Sequence, residues 1–540
     1  MTATPCSIGE AEIGVPVAHN WIAAMLLVAA FSASPAGAAT LTVCASGCDY
    51  STVGAALAAS DDGDTVQVSA GTYAEGVFEV GTSITLQGAA ASSTTLVGDG
   101  SGSVMNVSGE SVTLDGVTIR GGSAVGNNGG GVTALGGSLT IRNCAITDNA
   151  GPGVASVSPL TVIDTVISGN DAVATAAGSG GVGGGIVIYD GPLTVTGSQV
   201  RDNRAGTDGG GIAVFSSATI SDSVIDGNTA GQNGGGIALL GTVVLQNGSV
   251  TNNRAQAGDG GGIWSNQGDL TVSASTIAGN TALGATGQGG GLYLASFLSN
   301  DVAGPFGIEN STVSGNQARL AGAGIAISNQ GDSGIQCNFA CQISSSTIAN
   351  NQLTGARAGA GAGLDISGVA VNVGASIVAG NTAGPNCGGP GSVRSNGFNV
   401  AGDASCDLTG SGDLPNTDPI LQPLAVNPPG MTETMALCTA SNPPTCTGRS
   451  PAIGLNTACP PPSTDQRGVN RPAGRCDSGA YETGGLGAPE PTPTTRPSHD
   501  SDDGCAVAAP QPGRTAFGLL APLVLLVLGG AWMRARRHLI

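Results

Sequence analysis

The sequence predicts an all-β chain: a right-handed parallel β-helix, or solenoid, with an N-terminal helical cap, a C-terminal capping module and a C-terminal transmembrane helix. Three observations predict it. The composition is unsuited to a globule centred on large rings, with 92 glycines in 540 residues, 3% aromatics and 10% charged side chains. Hexapeptides ending in Asn recur through the middle of the chain. A second marker, three glycines followed by an aliphatic pair, recurs in phase with the first.

Such a chain has to bury many small β-branched side chains, and abundant Val, Ile and Thr point to strands joined by tight Gly turns. All 17 basic residues are Arg, and the formal net charge is −20. Phosphate backbones need cationic neutralisation, so nucleic acid is excluded as a partner. Most of the acidity falls in turns, where Asp caps backbone donors and keeps the chain soluble.

The hexapeptides close on Asn149, Asn170, Asn203, Asn228, Asn253, Asn280, Asn316, Asn351 and Asn381, at intervals of 21 to 36 residues. A minimum near 25 with longer excursions is what a solenoid gives when one turn of each coil sprouts loops. The triplets stand at 183–185, 209–211, 234–236, 260–262 and 289–291. Between the markers apolar residues alternate with polar ones, as at Ile212, Val214, Ala218, Ile220 and Val224, a period of two that means half-buried strands. Sharp corners favour the left-handed region, which suits Gly and Asn. Asn residues stacked every ~4.8 Å can bond to each other and to backbone, so the series reads as a structural ladder. Coils from residue 41 to 386 then form a rod on the order of 60 Å.

Both ends carry their own signals. Residues 1–39 read as a signal peptide, with an apolar run from Trp21 to Phe31 and small residues before Ala39, although Glu10 and Glu12 precede the run and no basic residue does. Residues 487–504 are a Pro/Thr-rich linker. From Ala516 to Met533 the chain is apolar, roughly 27 Å as a helix, and Arg534, Arg536 and Arg537 follow, which keeps that end cytoplasmic and the rest outside. Close cysteine pairs, Cys44/Cys48, Cys337/Cys341, Cys387/Cys406, Cys438/Cys446 and Cys459/Cys476, suit local disulfides in an oxidising compartment. Cys6 lies in the presequence, and Cys144 reads as a buried thiol.

Three resemblances add to this reading. The opening segment, with the Ala-rich stretch Val53–Ala59, Gly63-Asp64-Thr65 and Gly71-Thr72-Tyr73, resembles pectin lyase-like β-helix proteins and implies a helix plugging the open end. Residues 387–486 resemble the choice-of-anchor Q domain in Asn396-Gly397-Phe398-Asn399, Asp418-Pro419, Ser450-Pro451-Ala452-Ile453, Asp465-Gln466-Arg467-Gly468 and the run from Cys476 to Glu482. That likeness implies a module closing the helix ahead of an anchor. Gly504-Cys505, the apolar span and the Arg cluster within 505–540 are similar to Cys-containing C-terminal sorting signals of the MYXO-CTERM and JDVT-CTERM kind. This implies anchoring or processing at Cys505 by an envelope sorting protease.

Enzymes with pectin lyase-like helices use paired carboxylates, His, or Asp-bound calcium with an Arg base. His19, His499 and His538 all lie outside the repeats, and only Asp202, Asp208, Asp226, Arg201 and Arg204 form a loose acidic and basic group. Each also fits a solvated turn or an outward strand position, so no catalytic residue is assigned. Asp465 and Arg467 read as an ion pair rigidifying the C-terminal module. No metal centre is expected; calcium has candidate ligands in Asp61, Asp62 and Asp64, where SDDGDT also reads as a helix-ending turn. Tyr189, Phe215, Trp264 and Tyr293 follow the Gly triplets at comparable depth and are the candidate ligand-binding residues, a sparse aromatic stripe. The leading expectation is an exported, envelope-anchored, non-enzymatic adhesin or envelope component binding glycans or other surfaces, with ligands sought at loops inserted after Asn170, Asn280 and Asn316. A lyase or hydrolase of acidic polysaccharide and a purely structural spacer are the alternatives.

Overall fold

The computed structural model describes residues 37–124, 128–173, 181–266, 268–296, 306–329, 341–439, 446–459 and 461–484. Over these the chain winds as a right-handed parallel β-helix. One coil serves for all: Ile186–Ile188 lies in sheet A, Pro192–Thr196 in sheet B, Gln199–Arg201 in sheet C and the short Arg204–Ala205 in sheet D. Among the described residues sheets A to D hold 12, 14, 13 and 7 strands, each paired in parallel with the equivalent strand of the next coil. The register places like on like. Leu139, Leu160, Leu193, Ala218, Val243 and Leu270 are successive partners in sheet B, and all are buried. Small β-branched and aliphatic side chains therefore fill a continuous interior without large rings.

The corners explain the sequence markers. Each ladder Asn donates from Nδ2 to Oδ1 of the Asn one coil on, from Asn149 to Asn170 (2.9 Å) through Asn351 to Asn381 (2.9 Å), and Asn386 receives the last bond. The left-handed conformation, however, belongs to the preceding residue: Asp148, Gly169, Asp202, Gly227, Asn252, Gly279, Gly315, Asn350 and Gly380 have positive φ. The turn and the ladder are thus separate duties, which is why the hexapeptides end in Gly-Asn, Asp-Asn or Asn-Asn. The corner between sheets B and C is built alike. A positive-φ residue (Asp164, Gly197, Asp222) precedes a buried Thr165, Ser198 or Ser223, and the hydroxyl accepts the previous coil's backbone N–H at 3.1 to 3.2 Å. At the triplets only Gly fits. Gly234 has φ +63°, and a Cβ at Gly235 would lie 2.3 Å from the Gly261 carbonyl oxygen.

At the N-terminus, Val53–Ala59 forms a helix capped by Thr52, with Glu75 accepting from Val53 N and Gly54 N at 2.8 Å. Val53, Ala56 and Leu57 are buried in the main core. Asp61, Asp62 and Asp64 make a turn: Asp64 accepts from Ala39 N and Asp61 N, and Asp62 accepts from Ser83 N. Disulfides join Cys44–Cys48, Cys387–Cys406, Cys438–Cys446 and Cys459–Cys476, the mark of an extracellular protein. Cys341 is disulfide-bonded too, and Cys337 lies outside the described residues. Cys144 is free and buried, its thiol pushed up to about 12 by burial.

The coils run past residue 386, because Cys387–Gly388, Ser392–Gly397 and Val400–Ala401 are the last strands of sheets A, B and C. Asp403 and Asp413 then accept from Asn386 and Asn399, ending the polar rows. Beyond them the chain does not stay at the end of the rod but returns along the outside of sheet C. Thr276 donates to the Glu433 carbonyl, Thr312 to Gln466 Oε1 (2.6 Å), and Thr347 Oγ1 accepts from Ala480 N (3.1 Å). The outward residues there permit it. The outward residues Thr276, Ala278, Thr312, Ser314, Thr347 and Ala349 are small and buried, whereas Gln199 and Arg201 of an earlier coil are exposed. Within this segment Arg467 pairs with Asp465 (2.7 Å) and Arg471 with Glu482 (3.3 Å).

Among the described residues no helix is long and apolar enough to cross a membrane. The expected signal peptide up to residue 36, the linker, Cys505 and the span from Ala516 to Met533 lie outside those residues.

Candidate functional site

The corner between sheets A and B supplies an exposed apolar row. Backbone bonds fix the register: Val157 N donates to Ala134 O, Tyr189 N to Ser156 O, Phe215 N to Ile188 O and Leu240 N to Val214 O. Leu135, Val157, Tyr189, Phe215 and Leu240 therefore occupy one position in five successive coils. Leu135 is 57% exposed, Val157 45%, Phe215 39% and Leu240 44%. The Tyr189 and Phe215 rings stack, centroids 5.5 Å apart and 22° between planes. Burial of the half-covered Tyr189 raises its phenol above the ordinary value. Single exposed apolar residues are ordinary, but five in line form a patch that ligand surfaces occupy.

The four candidate aromatics do not make a single row. Trp264 and Tyr293 are direct register partners in sheet A, and their row continues back through Ala238 and Ala213 to Val187, two residues before Tyr189. Tyr293 is only 3% exposed and packs with Ala295, Ala326 and the half-buried Trp264, so it offers little face to a ligand. Aromatic spacing alone could not separate these two registers. Leu135, Val157 and Leu240 were missed because an aliphatic after a strand looks like core until its neighbours' register is known. The inserted stretches 174–180, 297–305 and 330–340 lie outside the described residues.

The loose acidic and basic group is dispersed over strand ends and turns. Asp202 is paired with Arg201 (3.1 Å), Arg204 approaches Asp171 (4.0 Å), and Asp226 accepts from Thr251 and Asn252. Asp208 belongs to another loop, where it accepts from Asn233 N and Nδ2, Asn233 Oδ1 accepts from Asp259 N, and Asp259 Oδ1 accepts from Gln288 N. No three His, Cys, Asp or Glu side chains among the described residues are grouped to hold a metal ion. A groove of about 460 Å³ lies between Asp222, Asn247 and Ala274 on one side and Thr464–Gly468 on the other. Its polar groups are bonded to one another, Asn247 to Asp222, Gln466 to Thr276 and Arg467 to Asp465.

Burial pushes the Asp259 carboxyl up to about 6, against the Gln288 N–H that favours its ionised form. Folding therefore binds a proton more tightly there, and stability is lost as pH rises from the ordinary 3.8 through about 6. Asn233 holds the equivalent rung one coil earlier. Asp259→Asn is accordingly expected to stabilise the fold by about 1–2 kcal/mol at pH 8 and to change little at pH 4. Urea midpoints at the two pH values check this, and an equal effect at both would contradict it.

With the geometry in place, comparison with known proteins adds one family. A model of the right-handed β-helix region matches residues 77–229. The matched stretch covers the coils of Leu135, Val157, Tyr189 and Phe215. Two solved structures are similar at low identity. The crystal structure of pectate lyase Pel9A is 16% identical, covers 83% of this chain and 97% of its own, and has a TM-score of 0.36. Pectin methylesterase from Aspergillus niger, in deglycosylated form, is 14% identical, covers 71% of this chain and 88% of its own, with a TM-score of 0.19. Likenesses this distant carry nothing about chemistry. No curated protein matches the chain.

Proposed function

We propose that this protein is a non-enzymatic binding rod of the bacterial cell surface, an adhesin or envelope component that recognises glycans or other surfaces. The row Leu135, Val157, Tyr189, Phe215, Leu240 carries the reading: a rigid solenoid holds four exposed apolar side chains and the half-buried Tyr189, which stacks on Phe215, in one register. Aromatic faces take the C–H faces of sugars, and a rigid β-scaffold presents them with no ordering cost on binding. Asp208, Asp226 and Asp202 are each bonded to a neighbouring side chain or backbone group, which favours binding over acid–base chemistry. Export through the signal peptide and anchoring at Cys505 and the C-terminal span complete the proposal, with the Val53–Ala59 helix plugging the first coil.

Replacing both rings, Tyr189→Ser with Phe215→Ser, is expected to weaken capture on a glycan array by about 5- to 150-fold, since two stacking faces at about 0.5–1.5 kcal/mol each are lost. Unsaturated products from incubation with polyuronates, abolished by Arg201→Ala, would replace this reading with a lyase.

A further inference from the structure

Sheet B carries a second row, next along the chain from the apolar one. On its outward face Thr113, Thr140, Thr161, Thr194 and Thr219 are successive direct partners, and Val244 follows. The row begins at Thr40 and resumes at Thr271. Each apolar corner residue is followed four or five positions later, in the same coil, by a member of this row: Leu135 by Thr140, Val157 by Thr161, Tyr189 by Thr194, Phe215 by Thr219.

The hydroxyls of the row differ from those at the corners between sheets B and C. Thr165, Ser198, Ser275, Ser311 and Ser346 accept from backbone N–H groups at the next corner. Thr113, Thr140, Thr161, Thr194 and Thr219 make no side-chain hydrogen bond to any described residue, and all are partly exposed. A β-branched side chain in a strand holds its hydroxyl in a preferred rotamer, so the row presents fixed donors and acceptors every ~4.8 Å along the rod. Charge on the face is sparse, with Asp190 exposed beside Tyr189 and accepting from Gly191 N. In the neighbouring outward row Asp115 is neutralised by Arg142 (2.9 Å), and Ile163, Thr196 and Ser221 follow. With a formal net charge of −20, the chain would repel a polyanion.

Resting on the glycan-binding reading above, we propose that the ligand is an extended neutral polysaccharide laid along the rod axis, its ring faces on Tyr189 and Phe215 and its hydroxyls bonded to Thr140, Thr161, Thr194 and Thr219. A linear neutral glycan repeats apolar faces and hydroxyls along its length, the two features that these adjoining rows repeat along theirs.

Calorimetric titration of the purified protein with cello- and laminari-oligosaccharides of increasing length, and with oligogalacturonates, tests this. Affinity for a neutral series is expected to rise with length and to exceed that for oligogalacturonates. The triple variant Thr161→Val/Thr194→Val/Thr219→Val is expected to bind at least about tenfold more weakly, three hydrogen bonds at about 0.5–1.5 kcal/mol being lost. Val244 already occupies the row, so valine fits the strand. Unchanged binding by the triple variant, with loss in Tyr189→Ser/Phe215→Ser, would overturn this inference and leave the glycan reading standing. Preference for oligogalacturonates would overturn it likewise. Absence of binding to any glycan would overturn both.

Discussion

Asn228→Ala is expected to destabilise the solenoid by about 3–5 kcal/mol. Asn228 is fully buried, and its Oδ1 accepts from Asn203 N and Asn203 Nδ2, both at 3.0 Å, while its Nδ2 donates to Val200 O (2.9 Å) and Asn253 Oδ1 (3.0 Å). Alanine leaves two donors of Asn203 and one carbonyl without partners in a site closed to water, at about 1–3 kcal/mol for each buried group. Asn253 keeps its bond from the backbone N of residue 228 at 2.9 Å, so the damage falls mainly on the preceding coil. Urea unfolding followed by far-ultraviolet circular dichroism measures the loss. Gln256→Ala, at an exposed position, is the control and should lie near zero. Equal midpoints for Asn228→Ala and the control would contradict a ladder role.

Arg471→Met is expected to release the returning segment from the flank of sheet C while the coils stay folded. The guanidinium is buried and reaches Asp477 O (2.8 Å), Gly479 O (2.7 Å), Glu482 Oε2 (3.3 Å) and, across the boundary, Asn310 Oδ1 (3.1 Å). Removing it leaves Glu482 charged and buried without its partner, a loss of about 3–5 kcal/mol. Burial already raises the Glu482 carboxyl above its ordinary range. Limited proteolysis should therefore cut between residues 418 and 484 at least tenfold faster than in the native chain, at about 1.4 kcal/mol per factor of ten. Slow cutting throughout, with an unchanged unfolding midpoint, would show that the Arg471 bonds are dispensable.

Much of the fold was legible because a solenoid writes its geometry into the sequence once per coil. Hexapeptides ending at Asn228 and Asn253, glycines at 209–211 and 234–236, and alternation through Ile212 and Val214 all carry the same period. Finer assignments were not legible. Asn and Gly both tolerate positive φ, so composition did not reveal that Gly227 takes the turn and Asn228 the ladder. The flank position of residues 418–484 was written faintly, in the change of outward residues from Arg201 and Asp226 to Thr276, Ala278, Thr312 and Ser314. Small polar residues facing out of a strand suit solvent and close packing alike, so only their burial decides. The candidate site was read through its rings, which found Tyr189 and Phe215. The aliphatic members of the row and the unengaged threonines beside it needed the strand register.

The account rests on asparagine amides that bond from coil to coil inside the rod. Selective ¹⁵N labelling of asparagine and side-chain amide exchange in D₂O tests this most directly. The stacked residues, Asn170 to Asn351 above all, are predicted to keep their Nδ2 protons far longer than the exposed Asn252 and Asn350. Side-chain amides that all exchange as fast as those two would contradict it.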